Sequence, residues 1–319
     1  MRGWWQDLTD LVLPGECGGC GEPRTALCAR CRAVLGGTAV RRVRPVPEPP
    51  GLPVVHAAAR YADEVRATLL AHKERGALAL AGPLGAALAE AVRAGLRDAR
   101  PPAWAGGARL PDGRALVGGA RPPDGRAPVL LVPVPSGRRA VRARGHDPAR
   151  RIALAAAGEL RRWGLPARVA GVLRQRRAVA DQAGLNSRQR LDNLAGALAV
   201  APGGARLLSG GAVVLVDDVM TTGASLAEAA RAVRAVSGGR RTAFGVTGPI
   251  PNASSTSAVY AGETWESREE QNVGSRWERT GRWPARQVNA GAGDVGGVVE
   301  VVCAAVVAAT PDSFEINRN

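Results

Sequence analysis

Lysine is nearly missing from this chain: Lys73 is the only one in 319 residues, and arginine carries the rest of the basic charge. Phe, Tyr and Met occur twice each and His three times. The pattern Gly-x-x-x-x-Gly-Lys-Ser/Thr does not occur, which excludes a Walker A nucleotide site. No uninterrupted apolar run reaches about twenty residues, so no membrane span is expected. Residues 1–11 interleave acids with apolar residues and lack the apolar core of a signal peptide; the expected location is cytoplasmic. The Arg and Ala excess matches a GC-rich coding sequence, so arginine number alone carries no functional argument.

What is present begins with charge. The net charge is +15, and residues 137–190 hold fourteen Arg against Asp147, Glu159 and Asp181, a local +11. Such a concentration suits polyphosphate or nucleic acid, while a solvated surface in an arginine-biased chain is the plainer alternative.

Four of the five cysteines are clustered, as Cys17-Gly-Gly-Cys20 and Cys28-Ala-Arg-Cys31. In a reducing compartment such spacing points to a metal rather than to disulfides. Four thiolates complete a tetrahedral zinc shell, with Gly18, Gly19 and Gly21 permitting the turns. Thiol redox chemistry and an iron–sulfur cluster are the competing readings; neither Cys-x-x-Cys follows a strand to open a helix, and the spacing matches no cluster pattern. A structural zinc is favoured. Cys303 lies within an apolar strand pattern and reads as a buried thiol.

Along the chain the pattern predicts a strand at 54–60, an amphipathic helix at 61–74 (Val65, Leu69 and Leu70 on one face), and a helix at 84–96 after a Gly82–Pro83 break. Residues 100–128 are low-complexity, with Asp-Gly turns in a near-duplicated segment, and read as an insertion. A strand follows at 129–134, then an arginine-rich loop. Asp147 reads as N-cap and Pro148 as first residue of a helix to about Trp163, which Gly164 ends. Residues 169–173 read as a strand, and Asn186 and Gln189 have capping-box spacing for a helix through Leu194. Residues 238–299, polar and aperiodic with Trp265, Trp277 and Trp283 among mixed charges, read as a disordered insertion. A strand at 301–309 then belongs beside helix 225–236 as the next β of a βαβ unit. His56 reads as packed and His146 as a surface residue.

The most telling stretch is Val213-Val-Leu-Val-Asp-Asp-Val-Met-Thr-Thr-Gly-Ala-Ser225. An unbroken apolar run suits a strand covered on both faces. The turn after it offers backbone N–H groups and hydroxyls at a helix N-terminus, which suits a phosphate. Asp217 and Asp218 would repel that phosphate unless sugar hydroxyls and a divalent cation intervene, so the local chemistry points to a ribose 5-phosphate bearing a metal-bound group. The Rossmann glycine fingerprint is absent from this turn.

These thirteen residues resemble the phosphoribosyl pyrophosphate (PRPP) signature of type I phosphoribosyltransferases. The resemblance implies that Asp217 and Asp218 bind the ribose hydroxyls and that Thr221, Thr222, Gly223, Ala224 and Ser225 bind the 5-phosphate. Joined to the four-cysteine segment, the pattern is similar to the ComF/GntX family, phosphoribosyltransferase-like proteins linked to DNA uptake and use in bacteria. Three further segments agree with it: Tyr61 through His72-Lys73-Glu-Arg-Gly76; Val132-Pro-Val-Pro135 with Arg144-Gly-His-Asp-Pro-Ala149; and Gln182-Ala-Gly-Leu185 with Arg190 and Asn193. His146 replaces the family's usual aromatic.

The implied architecture is α/β. A four-Cys zinc ribbon or knuckle spans 1–45, and a type I phosphoribosyltransferase-like parallel sheet with flanking helices spans 52–319, interrupted at 100–128 and 238–299. The implied ligands are structural Zn²⁺ (Cys17, Cys20, Cys28, Cys31) and PRPP with Mg²⁺. Lys73, Arg138, Arg139, Arg142 and Arg144 are candidates for the pyrophosphate, since guanidinium forks suit phosphate oxygens. Single-stranded DNA and a DNA-uptake helicase are candidate partners. Three functions stay open: a ligand-binding protein of DNA uptake, an active phosphoribosyltransferase with an unidentified acceptor, and a degenerate fold kept for interactions.

Overall fold

A computed structural model describes residues 15–37, 39–99, 127–177, 187–238 and 299–317. The expected insertions at 100–128 and 238–299 lie outside these residues except at their edges, as does Gln182–Leu185.

The two long apolar runs form the centre of a six-stranded sheet. The strands are β1 (Arg41–Val43), β2 (Val55–Arg60), β3 (Val129–Pro133), β4 (Ala167–Val169), β7 (Ala212–Met220) and β8 (Val301–Ala309), in the order β1-β2-β8-β7-β3-β4. Every neighbouring pair is parallel except β1 with β2. The short strands β5 (Leu173–Gln175) and β6 (Leu198–Val200) form a separate antiparallel ribbon.

Both faces of the sheet are covered, which is why its strands are apolar without alternation. Val214, Val216, Cys303, Ala305 and Val307 point into one core, shared with helices α2 (Asp63–Glu74), α3 (Ala81–Asp98) and α5 (Pro148–Arg162). Val213, Leu215, Ala304 and Val306 point into the other, shared with α8 (Ala224–Gly238) and the ribbon. Short helices α1 (Ala29–Gly36), α4 (Arg138–Arg144), α6 (Ser187–Leu194) and α7 (Gly204–Leu208), with 3₁₀ turns at Leu78–Leu80 and Pro311–Asn317, complete the described elements. The cysteine segment is not insulated from this body: Cys17, Leu27, Cys28, Cys31 and Leu35 belong to the same buried cluster as α2 and α3.

Several sequence expectations hold. Asp147 caps α5, accepting from Arg150 N at 3.2 Å, with Pro148 in the first turn. The strand at 301–309 pairs with β7. Others need correction. Gly82 and Pro83 do not precede the third helix but lie in its first turn, where a missing N–H leaves no bond unmade. Residues 138–144 are helical rather than loop. The strand expected at 169–173 is instead two strands, β4 and β5, that belong to different sheets. The strand read from the apolar run at 213–216 continues through the acidic pair to Met220.

Alanine and glycine let α3 and α5 approach closely. A Cβ on Gly85 would fall on Ala155 Cβ and lie 2.8 Å from Ala156 N, a contact only backbone movement relieves. Gly158, within α5, has no atom nearer than 3.9 Å to such a Cβ. Replacing helical Gly with Ala gains about 1 kcal/mol in propensity, whereas overpacking costs about 1–3 kcal/mol. Gly158→Ala should therefore stabilise the protein and Gly85→Ala destabilise it, as measured by denaturant unfolding.

Candidate functional site

Asp217 and Asp218 lie within β7 near its carboxyl end, with Asp217 opposite Val306 of β8. Each carboxylate is oriented by the chain: Asp217 Oδ1 accepts from Asp218 N at 2.9 Å, and Asp218 Oδ1 accepts from Val219 N at 2.8 Å. Asp218 is 7% exposed, and its Oδ2 meets Lys73 Nζ of α2 at 3.2 Å. That carboxylate holds the Lys73 ammonium above its ordinary value, against the opposing effect of burial. Burial, and then the charge of Asp218, push Asp217 well above the usual carboxylate range, with Lys73 opposing.

Beyond the strand the chain turns at 221–223 and enters α8. Gly223 has φ +74°, a left-handed conformation that favours glycine, and a Cβ there would also crowd Leu52 at 3.1 Å and Pro45 at 3.3 Å. Asp217 and residues 219–226 line a small, open pocket. The N–H groups of the first helical turn lack intrahelical partners, so the loop can take an anion. Arg190 of α6 reaches this loop, donating from Nη1 to Thr221 Oγ1 at 3.4 Å, while its Nε is buried with no hydrogen-bond partner among the described residues.

The arginine-rich segment lies beside α2. Arg144 pairs with Glu74 at 3.1 Å, Arg139 and Arg142 are exposed, and the side chain of Arg138 lies outside the description. His146 is only half-exposed, and its ring joins the two segments: Nε2 lies 3.3 Å from the His72 carbonyl and Nδ1 3.2 Å from that of Arg144. His72 is buried, packs edge-on to His146 at 5.6 Å between ring centres, and is shifted down by burial. The structure thus brings Lys73, Asp217, Asp218 and residues 221–225 together, and adds Arg190 to them. Sequence reasoning quoted Arg190 within a motif without assigning it to the site. The Lys73–Asp218 pair carried one signal, the isolation of a single lysine among arginines. His56 is buried as expected, bonded through Nε2 to Asp98 at 2.7 Å, and Cys303 is buried beside it.

The donor atoms of Cys17, Cys20, Cys28 and Cys31 all lie within 4.8 Å of one another. Backbone N–H groups already point at sulfur, Cys28 N to Cys17 Sγ at 3.3 Å and Cys31 N to Cys28 Sγ at 3.5 Å. Burial acts to raise the Cys17 thiol, but hydrogen bonds from Cys20, Cys28 and Gly19 outweigh it and bring the pKa down to about 6. Four such thiols could hold a structural zinc ion, and the chemistry of the set fits it. Among the described residues, no helix is long and apolar enough to cross a membrane. Compared with models of known protein families and with curated proteins, the chain matches none.

Two outcomes are expected. The purified protein should carry one equivalent of zinc by elemental analysis, and Cys31→Ser should lower that content together with thermal stability. For Asp217, a folded pKa above the unfolded value of 3.8 means that its contribution to stability is complete below about pH 3.8 and is lost as pH rises through the folded pKa. Asp217→Asn should therefore be more stable than wild type at pH 7, with the gain shrinking toward pH 4 in urea unfolding series.

Proposed function

We propose that this protein binds PRPP with Mg²⁺, or a closely related ribose 5-phosphate, at the carboxyl end of β7. It would do so as a ComF-like member of the type I phosphoribosyltransferase fold acting in DNA uptake or use. The observation that carries the reading is that Asp217 and a glycine-bent, hydroxyl-rich turn into a helix line one pocket, with the neighbouring Asp218 paired to Lys73. In this reading Asp217 and Asp218 accept hydrogen bonds from ribose hydroxyls. The 5-phosphate sits on the N–H groups and hydroxyls of 221–225, and Arg190 caps it. Lys73, Arg139, Arg142 and Arg144 would serve the pyrophosphate end. A divalent cation there would neutralise pyrophosphate charge. Ligand binding to strand-end carboxylates also explains why an acidic pair is kept in a buried strand despite its cost.

The transferase reading shares the site and adds a step. Loss of pyrophosphate leaves positive charge on the ribose ring, which the neighbouring carboxylates would stabilise. Pyrophosphate release with a panel of nucleobases separates a transferase from a binding protein. For the DNA-binding role, a steep fall of single-stranded DNA affinity with salt is expected from the arginines of 137–190.

Titration calorimetry with Mg²⁺ and PRPP tests the site. Wild type should bind at one site, and the double variant Asp217→Asn/Asp218→Asn should bind about 100-fold or more weakly, since hydrogen bonds to charged groups contribute about 1.5–3 kcal/mol each. Equal binding by the two proteins would contradict the proposal.

A further inference from the structure

The four-cysteine module and the acidic site are separate in sequence but share one helix. Four positions of α2 and its cap meet the module. Glu64 pairs with Arg30 at 3.4 Å. A Cβ built on Gly19 would lie 3.1 Å from Thr68 Oγ1, and one on Gly18 would lie 3.2 Å from Ala71 Cβ and 2.7 Å from Leu80 Cδ1. Arg75 donates to the Gly18 carbonyl at 3.4 Å. Residues 64, 68, 71 and 75 are spaced i, i+4, i+7 and i+11, which places them within an arc of about 60° at 3.6 residues per turn. Residue 73 lies on the opposite side of the same helix, where Lys73 meets Asp218 at 3.2 Å.

We infer that the four-cysteine module is a positioning element for the candidate site: seated on one face of α2, it holds Lys73 on the opposite face against Asp218. Metal loading of the thiols then sets the geometry of a site at the far side of the helix. The module has no core of its own; its buried residues lie in the cluster that contains Val65 and Leu69 of α2 and Leu80. Release of the metal lets the Gly18–Gly19 knuckle relax, which removes the packing from one face of α2. Lys73 lies one residue from the end of α2, where tilt or fraying of the helix displaces it from Asp218. The module thus holds Lys73 in place, both for its pair with Asp218 and for the pyrophosphate end of the proposed site. The inference rests on the thiol cluster being a metal site, and its test separates the two.

Because Lys73 is the only lysine, its reactivity can be read directly. The full chain, loaded with zinc, is treated with an N-hydroxysuccinimide ester, and acylation of Lys73 is followed by peptide mass spectrometry, which resolves it from the N-terminal amine. Chelation, checked by zinc analysis, should raise the Lys73 rate about fivefold or more as the ion pair loosens. Gly18→Ala wedges the knuckle from Leu80 and Ala71 without touching a sulfur ligand. It should raise the rate while leaving zinc content and cooperative unfolding intact. In Asp218→Asn, where the pair is already broken, neither chelation nor Gly18→Ala should add further reactivity, a non-additivity that general unfolding would not produce. Loss of zinc with Lys73 at the wild-type rate would overturn the inference and leave the metal site standing. Protein that holds no zinc would overturn both.

Discussion

Two neighbouring carboxylates sit inside a buried strand, and much of the surrounding structure answers that arrangement. A lone buried charge costs several kcal/mol, and a second like charge beside it raises the cost. Here each carboxylate accepts one backbone N–H, and Asp218 also faces the ammonium of Lys73. Burial keeps Asp217 protonated to a higher pH than an ordinary carboxyl. The pair persists because the strand cannot shift. β7 is flanked by β3 and β8 in parallel register, and its side chains alternate into two cores. The same rigidity that imposes the cost also fixes Asp217 at the pocket beside the 221–225 turn and Asp218 against Lys73.

The cation that answers the acidic pair is supplied from outside the sheet. Lys73 lies near the end of α2, and α2 is held on its other side by the cysteine knuckle. Arg144 and the ring of His146 fasten the same end of the helix to the segment before α5. Arg190 approaches the turn after β7 from α6. A site with anionic strand residues and cations borne on three separate elements suits a ligand that presents both hydroxyls and phosphate groups.

Much of this was legible in the sequence. Unbroken apolar runs identified β7, β8 and β3 because strands buried on both faces need no alternation. Asp147 and Pro148 marked the start of α5 because a cap acts locally. The cysteine spacing identified a cluster that the fold assembles. What was not legible depends on contacts distant in sequence. The acidic pair stays in strand conformation because β8, more than eighty residues later, pairs through Met220. The division of 167–175 between two sheets follows from partners at 129–131 and 198–200. That Lys73 meets Asp218, and that Gly18 and Gly19 rest on α2, are properties of packing that no local periodicity records.

The central claim is that the end of β7 is built for a ribose 5-phosphate. A crystal structure of the protein soaked with PRPP and Mg²⁺ tests it most directly. The 5-phosphate should lie on the N–H groups of 222–225, within reach of Arg190, and the ribose hydroxyls on Asp217 and Asp218. Clear density for the ligand at another location, with the 221–225 loop empty, would contradict it.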